Sequence, residues 1–352
     1  MKPLISVIIP TYNRAQLVRQ AVESVLQQRG DFAFDIIVID DGSTPQTEQV
    51  LQRFGGSIRY VRQANAGLNP ARNHGLRLAR GEFIALLDDD DVWLPFKTSS
   101  LLAALRAFPQ AGFVHSNFFI WKPQGDTRRP DGLRTWFPRA FTWEEMYHET
   151  RALELPRSGL DASTEAATAY FGDVYYWSLF APMVLPSTAI IRRESLWEGF
   201  QFPEVDSVGD WEFFARLSHK CGCAFVPVET TLNRSHEDAV RLTRVDPSLR
   251  LRRRIGLIHR LWREDSDFMR EKGEEVDRTE AECLRKLARL RISNGSGAEA
   301  RQALRELSRL EGRVTPGSAI LWSLSCIPFA SQAIELMRSM RARAQGQRRA
   351  AS

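Results

Sequence analysis

FIALLDDDDVWLP, residues 83–95, runs from an uninterrupted apolar segment straight into four consecutive aspartates, Asp88 to Asp91. Two carboxylates about 4 Å apart repel by roughly 4 kcal/mol at an effective dielectric of 20. An acidic run is therefore usually a solvated loop. This one follows a run with the length and composition of a buried strand, where like charges are held together unless a cation joins them. Hard divalent cations such as Mg²⁺ or Mn²⁺ take carboxylate oxygens and leave positions for phosphate oxygens and water. A metal-bridged diphosphate would offset the repulsion.

Further β-rich runs surround it: LISVIIP (4–10), FDIIVIDDGS (34–43), IRYVRQ (58–63) and GFVHSNFFIW (112–121). Amphipathic stretches separate them, one setting Val18, Ala21, Val22 and Val25 at i, i+3, i+4 and i+7. This βαβ series predicts an α/β fold, a Rossmann-like, mostly parallel sheet flanked by helices. Ligands of such sheets collect beyond the carboxyl ends of the strands. Strand one ends in Thr11, Tyr12 and Asn13, strand two in Asp40, Asp41, Gly42 and Ser43, and the fourth run in the aspartates. Asp40 and Asp41 can shape a turn, since DDGS is good turn chemistry, and can accept from a base N–H or a ribose hydroxyl. The chain has no G-x-G-x-x-G after strand one and no G-x-x-x-x-G-K-[ST], which argues against a nicotinamide enzyme and a P-loop NTPase.

With 352 residues and 43% hydrophobic composition the chain has room for a second unit. Residues 122–185 lose the alternation and are rich in aromatics and prolines, which predicts an irregular insertion over the sheet. Order resumes at LPSTAIIRRESL (185–196), at GDWEFFARLSHKCG (209–222), a helix with Phe213, Phe214 and Leu217 inward, and at CAFVPV (223–228). From Pro247 the pattern is helical, broken at SNGSGAE (293–299). The expected division is 1–240 and a basic helical extension, 241–352. The extension holds 24 of the 48 Lys+Arg and 14 of the 43 Asp+Glu, a net +10. An anionic partner and a solvated arginine-rich surface both account for that excess. Residues 316–345 pair an interrupted apolar stretch with Arg338, Arg341 and Arg343, too short to span a bilayer but suited to lie in its headgroup region at the inner face of the plasma membrane. Four cysteines without a framework read as reduced thiols of a cytoplasmic protein. The N-terminus reads as a strand, not a signal peptide.

SVIIPTYNR, VIDDGS, NAGLNPARNHG, FIALLDDDDVWLPFK and GDWEFFARL followed by NRSH together resemble the ordered motifs of the family 2 glycosyltransferases with the GT-A fold, over residues 4–240. The resemblance implies a nucleotide-sugar donor, with UDP the expected nucleotide, held by Pro10, Thr11, Asn13, Asp40, Asp41, Arg72, Asp88 and Asp89. It places the D-x-D motif on Asp88 and Asp90, with Asp90 the direct contact to Mn²⁺ or Mg²⁺, Asp91 completing the acidic triplet and Asp89 standing where a serine is common. His236 in NRSH either completes the metal shell or is an ordinary polar surface residue. The family's acidic pair before the later helix reads Gly209 and Asp210, leaving Asp210 as the catalytic base, or else as the N-cap of helix 211–219. Trp93 and Trp211 are candidates to stack on an acceptor sugar, with core packing the alternative.

The implied activity is inverting, metal-dependent transfer of a sugar to a hydroxyl of a glycan or lipid-linked glycan in surface polysaccharide synthesis. A polyprenyl-phosphate acceptor is the first alternative. A non-catalytic scaffold or nucleic-acid-binding protein using the basic tail is the second, and no nucleic-acid partner is expected.

Overall fold

The computed structural model describes residues 4–137, 140–156, 164–204, 207–235 and 246–326. They fall in two compact units, Met1–Thr243 and Arg244–Ser352.

In the first unit the strands are β1 (Leu4–Thr11), β2 (Ala33–Asp40), β3 (Arg59–Arg62), β4 (Phe83–Leu86), β5 (Val92–Trp93), β6 (Phe113–Lys122), β7 (Thr127–Arg129), β8 (Glu149–Pro156), β9 (Thr164–Gly172), β10 (Ile190–Arg192) and β11 (Cys223–Arg234). They form one mixed sheet in the order β3-β2-β1-β4-β10-β6-β11-β9-β8, with β5 paired to β11 and β7 to β6. The stretch β3-β2-β1-β4 is parallel throughout, as is the β6–β11 pair. β10 enters antiparallel between β4 and β6.

Helices α1 (Ala15–Leu26), α2 (Pro45–Gln52), α3 (Leu68–Leu78) and α4 (Lys97–Ala107) follow β1, β2, β3 and β5, and α7 (Gly209–Cys221) precedes β11. Two short turns of helix, α5 (Trp143–Met146) and α6 (Tyr175–Ser178), lie between. Successive side chains of a strand point to opposite faces, so β1 serves two cores. Ile5, Val7 and Ile9 pack with Val18, Ala21, Val22 and Val25 of α1 and with Leu101 and Leu105 of α4. Ile8 packs on the other face with Ile84, Phe213, Phe214 and Leu217. Burial on both faces explains why these strands read as continuous apolar runs.

The 122–185 stretch differs from the irregular insertion expected of it: β8 and β9 pair antiparallel from Glu149–Phe171 to Pro156–Thr164, and β9 joins β11. Its exposed positions include Ala152 and Ala166 while Leu155, Ala169 and Tyr170 are buried, so the contrast between faces that marks a strand in sequence is weak. The apolar residues of the same stretch, Phe137, Phe141, Trp143, Met146 and Tyr147, belong to the second core.

The second unit is helical: α8 (Pro247–Ile258), α9 (Ser266–Ser293), α10 (Gly297–Glu311) and α11 (Pro316–Ser325). Asp246 and Asp265 cap α8 and α9 by accepting from Ser248 N and Leu249 N and from Phe268 N. Leu257, Trp262, Val276, Leu284, Leu287, Leu304 and Leu307 are buried. Much of the basic charge is matched within the unit. Arg263 meets Glu280 at 2.5 Å and Asp277 at 2.8 Å, Arg252 meets Glu306 at 2.9 Å, and Arg285 pairs with Glu311. Among the described residues no helix is long and apolar enough to cross a membrane.

Candidate active site

The ends of β1 and β2 are knitted together by their own loops. Asn13, with φ 54°, receives Thr44 N on its Oδ1 at 2.8 Å and donates its N–H to Ser43 Oγ at 2.9 Å. Asp40 accepts from Ser43 N at 2.7 Å and from the Tyr60 hydroxyl of β3. Burial and that bond raise the Tyr60 pKa. Asp41 accepts from Gln63 Nε2 at 2.8 Å, Ala66 N at 2.9 Å and Gly67 N at 2.8 Å, the last two leading into α3. Pro10, Thr11, Asp40 and Asp41 are all buried.

At the end of β4 the question posed by Asp88–Asp91 has a different answer in the chain itself: arginines. Arg72 of α3, almost wholly buried, reaches Asp88 Oδ1 at 2.6 Å and lies over the Phe202 ring at 5.2 Å. Arg14, at the start of α1, bridges Asp90 Oδ2 at 2.7 Å and Asp89 Oδ1 at 3.1 Å. Arg234, at the end of β11, donates to the Asp90 carbonyl at 3.0 Å and to Gln20 at 2.7 Å. Thr11 donates its hydroxyl to Asp89 at 2.8 Å, tying strand one to the cluster. Asp91 accepts from Asn233 Nδ2 at 3.0 Å and Arg234 N at 3.2 Å, and its Oδ2 is buried without a partner.

Burial opposes the Arg72 cation, yet Asp88, Asp210 and Asp90 outweigh it and raise its pKa. Burial also pushes Asp89 up to about 7, assisted by Asp90 and resisted by Arg14, and pushes Asp91 well above the usual carboxylate range. Asp88 and Asp90 are the members that open to solvent, their side chains 25% and 18% exposed.

The third contribution comes from α7. Asp210 lies in its first turn and accepts from Trp211 N at 2.8 Å, and its charge acts on both Arg72 and Asp88. The helix starts at Gly209 with Val208 at the N-cap, so Asp210 is inside the helix and is not its N-cap residue. Gly209 stands where the family's first acidic residue is expected, and a Cβ there would lie 2.2 Å from the side-chain amide of Asn69, which would have to shift to admit it. α3 holds this approach through Asn69 Nδ2 to Pro203 O at 2.9 Å, and through Asn73, which donates to Phe202 O at 2.9 Å and accepts from Phe202 N at 2.8 Å. Arg72 sits between those two anchors on the same helix.

Of the candidate acceptor residues, Trp93 is only 2% exposed, its indole N–H bound to Ser187 O at 2.8 Å and its ring 4.1 Å from Lys97 Nζ, so its faces are taken up by the core. Trp211 is half-buried, its indole N–H bound to Ser178 O at 2.6 Å. His236 lies outside the described residues. Residues that the sequence reading passed over, Arg14 and Arg234, each follow an asparagine at a strand end, in TYNR and LNR; that shared position is the only trace of their role.

No group of three or more His, Cys, Asp or Glu among the described residues is arranged to hold a metal by itself. Two partly exposed carboxylates, Asp88 and Asp90, with the unpartnered Asp91 Oδ2 behind them, fit a different arrangement: an ion held by one or two carboxylates and completed by phosphate oxygens and water.

A sheet of this order, with acidic strand ends facing the N-terminus of a later helix that carries an aspartate, is the frame of a GT-A glycosyltransferase. The sequence profile described as "Glycosyl transferase family 2" matches residues 6–200, more than half of the chain, and the chain belongs to that family. The putative colanic acid biosynthesis glycosyl transferase WcaA of Escherichia coli (strain K12) is 37% identical over 123 residues, 34% of this chain and 43% of that protein. The GalNAc(5)-diNAcBac-PP-undecaprenol beta-1,3-glucosyltransferase of Campylobacter jejuni is 40% identical over 119 residues, 32% of this chain and 37% of that protein. The chain thus spans less than half the length of these curated relatives. Among solved structures, S. aureus TarS 1-349 in complex with UDP-GlcNAc superposes with TM-score 0.56 at 18% identity, covering 96% of this chain and 92% of that one. Mannosyltransferase PcManGT from Pyrobaculum calidifontis, in complex with GDP-Man and Mn2+, gives 0.52 at 17% identity, covering 96% and 88%. At these identities the likeness speaks for the fold.

Proposed function

We propose that the chain is an inverting, metal-dependent glycosyltransferase that moves a sugar from a nucleoside-diphosphate donor, a UDP-sugar, to a hydroxyl of a glycan or lipid-linked glycan used in surface polysaccharide synthesis. The observation that carries the reading is that α3 meets both sides of the crevice: its Arg72 binds Asp88 at 2.6 Å and its Asn69 packs against Gly209, the residue before Asp210 at the start of α7. Thr11, Asn13, Asp40 and Asp41 shape the nucleoside end of the crevice, and Arg72 offers its guanidinium to the phosphates. Asp88 and Asp90 would hold Mn²⁺ or Mg²⁺ together with the donor. When bound, that ion stabilises the negative charge that gathers on the departing diphosphate.

Asp210 takes the proton of the acceptor hydroxyl as its oxygen bonds to the anomeric carbon. The bond from that carbon to the phosphate oxygen breaks in the same step, and the nucleoside diphosphate leaves with the electron pair. One displacement inverts the configuration. Retention by double displacement would need a second carboxylate as nucleophile close to the first, and Asp88, the carboxylate on which Asp210 acts, is assigned here to the cation.

The acceptor class is supported by the relatives, one named for colanic acid biosynthesis and one for an undecaprenol-diphosphate-linked glycan. Peripheral membrane contact through residues 316–345 suits such an acceptor. On the described part, Ile320 and Trp322 of α11 are exposed apolar residues. Residues 327–345 lie outside the described ones.

The test is nucleoside diphosphate release from a panel of UDP-, dTDP- and GDP-sugars, followed by Asp210→Ala with the donor that works. The variant should lose turnover by roughly 10²- to 10⁴-fold and keep the metal-dependent thermal shift that the nucleotide produces, about 2.7 kcal/mol at a hundred times Kd. Retained turnover with a polyprenyl phosphate would transfer the reading to that acceptor.

A further inference from the structure

We propose that Arg14 is a ligand of the donor's diphosphate and that it makes cation binding conditional on the donor. Without nucleotide its guanidinium occupies Asp90 and Asp89; when the diphosphate arrives it moves to the phosphate oxygens and leaves Asp90 to the metal. The inference rests on the cation reading above and adds a residue that the reading does not use.

The geometry separates Arg14 from the other two arginines. Arg72 pairs with Asp88, and Arg234 meets Asp90 through its backbone carbonyl, with its guanidinium 4.5 Å above the Trp121 ring. Arg14 is the arginine whose Nη1 lies on a carboxylate oxygen of Asp90, at 2.7 Å, with Asp89 Oδ1 at 3.1 Å. A divalent cation on Asp90 Oδ2 at ordinary oxygen distances of about 2.0–2.6 Å would lie against that guanidinium, two cations on one oxygen. On that oxygen the ion and the guanidinium compete. A planar guanidinium pairs with phosphate in the same fork geometry as with carboxylate, so an arriving diphosphate offers it an alternative partner.

Position supplies the second half of the argument. Arg14 follows Asn13 directly, at the end of β1, in the loop region where ligands of an α/β sheet gather. Its side chain is 12% exposed, so the charge is confined beside the crevice rather than free in solvent. The diphosphate brings negative charge to both cations at once, which is why the metal and the donor should bind together better than either binds alone.

The experiment measures Mn²⁺ affinity from the loss of the free-ion EPR signal, with and without saturating UDP (dTDP or GDP if UDP does not bind). It also measures nucleotide affinity in EDTA, on the full chain and on Arg14→Gln and Arg14→Lys. In the native chain the nucleotide should raise Mn²⁺ affinity at least tenfold. Arg14→Gln should bind Mn²⁺ alone at least tenfold more tightly than the native chain and bind nucleotide in EDTA at least tenfold more weakly. Arg14→Lys, which keeps the charge and so guards against loss of the fold, should fall between. Unchanged values in Arg14→Gln, or a change in one affinity without the other, would overturn the proposal while leaving the cation reading intact. Absence of Mn²⁺ uptake by the native chain with every nucleotide removes the cation reading, and the proposal with it.

Discussion

The two acidic strand ends of this molecule, Asp40–Asp41 after β2 and Asp88–Asp91 after β4, solve the same problem by different means. Asp40 and Asp41 accept from their own neighbourhood: Ser43 N, Ala66 N, Gly67 N, Gln63 and Tyr60, none further along the chain than α3. Backbone amides are fixed donors and ask nothing of distant elements. Of the four aspartates after β4, Asp88 is instead matched by Arg72 of α3 and Asp89 and Asp90 by Arg14, just before α1, while Asp91 accepts from Asn233 and from Arg234 N at the end of β11. A turn satisfied by amides is complete once formed. A cluster balanced by side-chain cations can exchange them, a property that the proposed metal and diphosphate would use.

Arg72→Ala should cost the most stability of the changes at these two strand ends. It leaves Asp88 facing Asp90 and Asp210 without its buried partner, and removal of one member of such a pair costs about 3–5 kcal/mol. Urea unfolding of the metal-free protein measures it; a loss below about 1 kcal/mol would mean that solvent, not Arg72, balances Asp88.

Next comes the pH response of the cluster. Asp89 is pushed up to about 7 from 3.8, so the folded chain holds this proton more tightly than the unfolded one. The stability it contributes is full below about pH 4, falls as the pH rises through about 7, and then levels. Asp89→Asn should flatten that part of the metal-free profile and raise Tm at pH 8 relative to the native chain. Parallel profiles from pH 4 to 8 would contradict the burial argument.

Asp41→Ala should cost about 2 kcal/mol, because Ala66 N and Gly67 N lose a charged acceptor. Tyr60→Phe, which removes one hydrogen bond to Asp40, should cost about 1 kcal/mol. Both variants should leave Mn²⁺ affinity untouched in the absence of nucleotide. If either shifts it, the two strand ends are one network and the contrast drawn above is lost.

How much of this was legible beforehand follows the same line. The β1, β2, β4 and β6 runs and the α1 stripe of Val18, Ala21, Val22 and Val25 were readable because burial on a strand or helix face leaves a periodic trace in the chain. The β8–β9 hairpin was not, since it buries few apolar side chains. Within the site, the aspartates, Arg72 and Asp210 were visible through ordered motifs. Trp93 was a candidate for stacking on a sugar only as an aromatic, with core packing the alternative, and the fold closes the core around its ring. The absence of an acidic residue at 209 was a departure in the sequence, and in the structure the side chain of Asn69 fills the space beside it.

The alternation of strands and helices, the family motifs and the unusual density of carboxylate after β4 can be read from the chain alone, because each is written in neighbouring residues. Which cation stands against which carboxylate emerges only once the chain is folded. Arg14, Asp90 and Arg234 are brought together from positions 76 and 144 residues apart, and no local pattern records a distance of 2.7 Å. Electrostatic balance depends on separation in space, and separation in space is what the fold supplies.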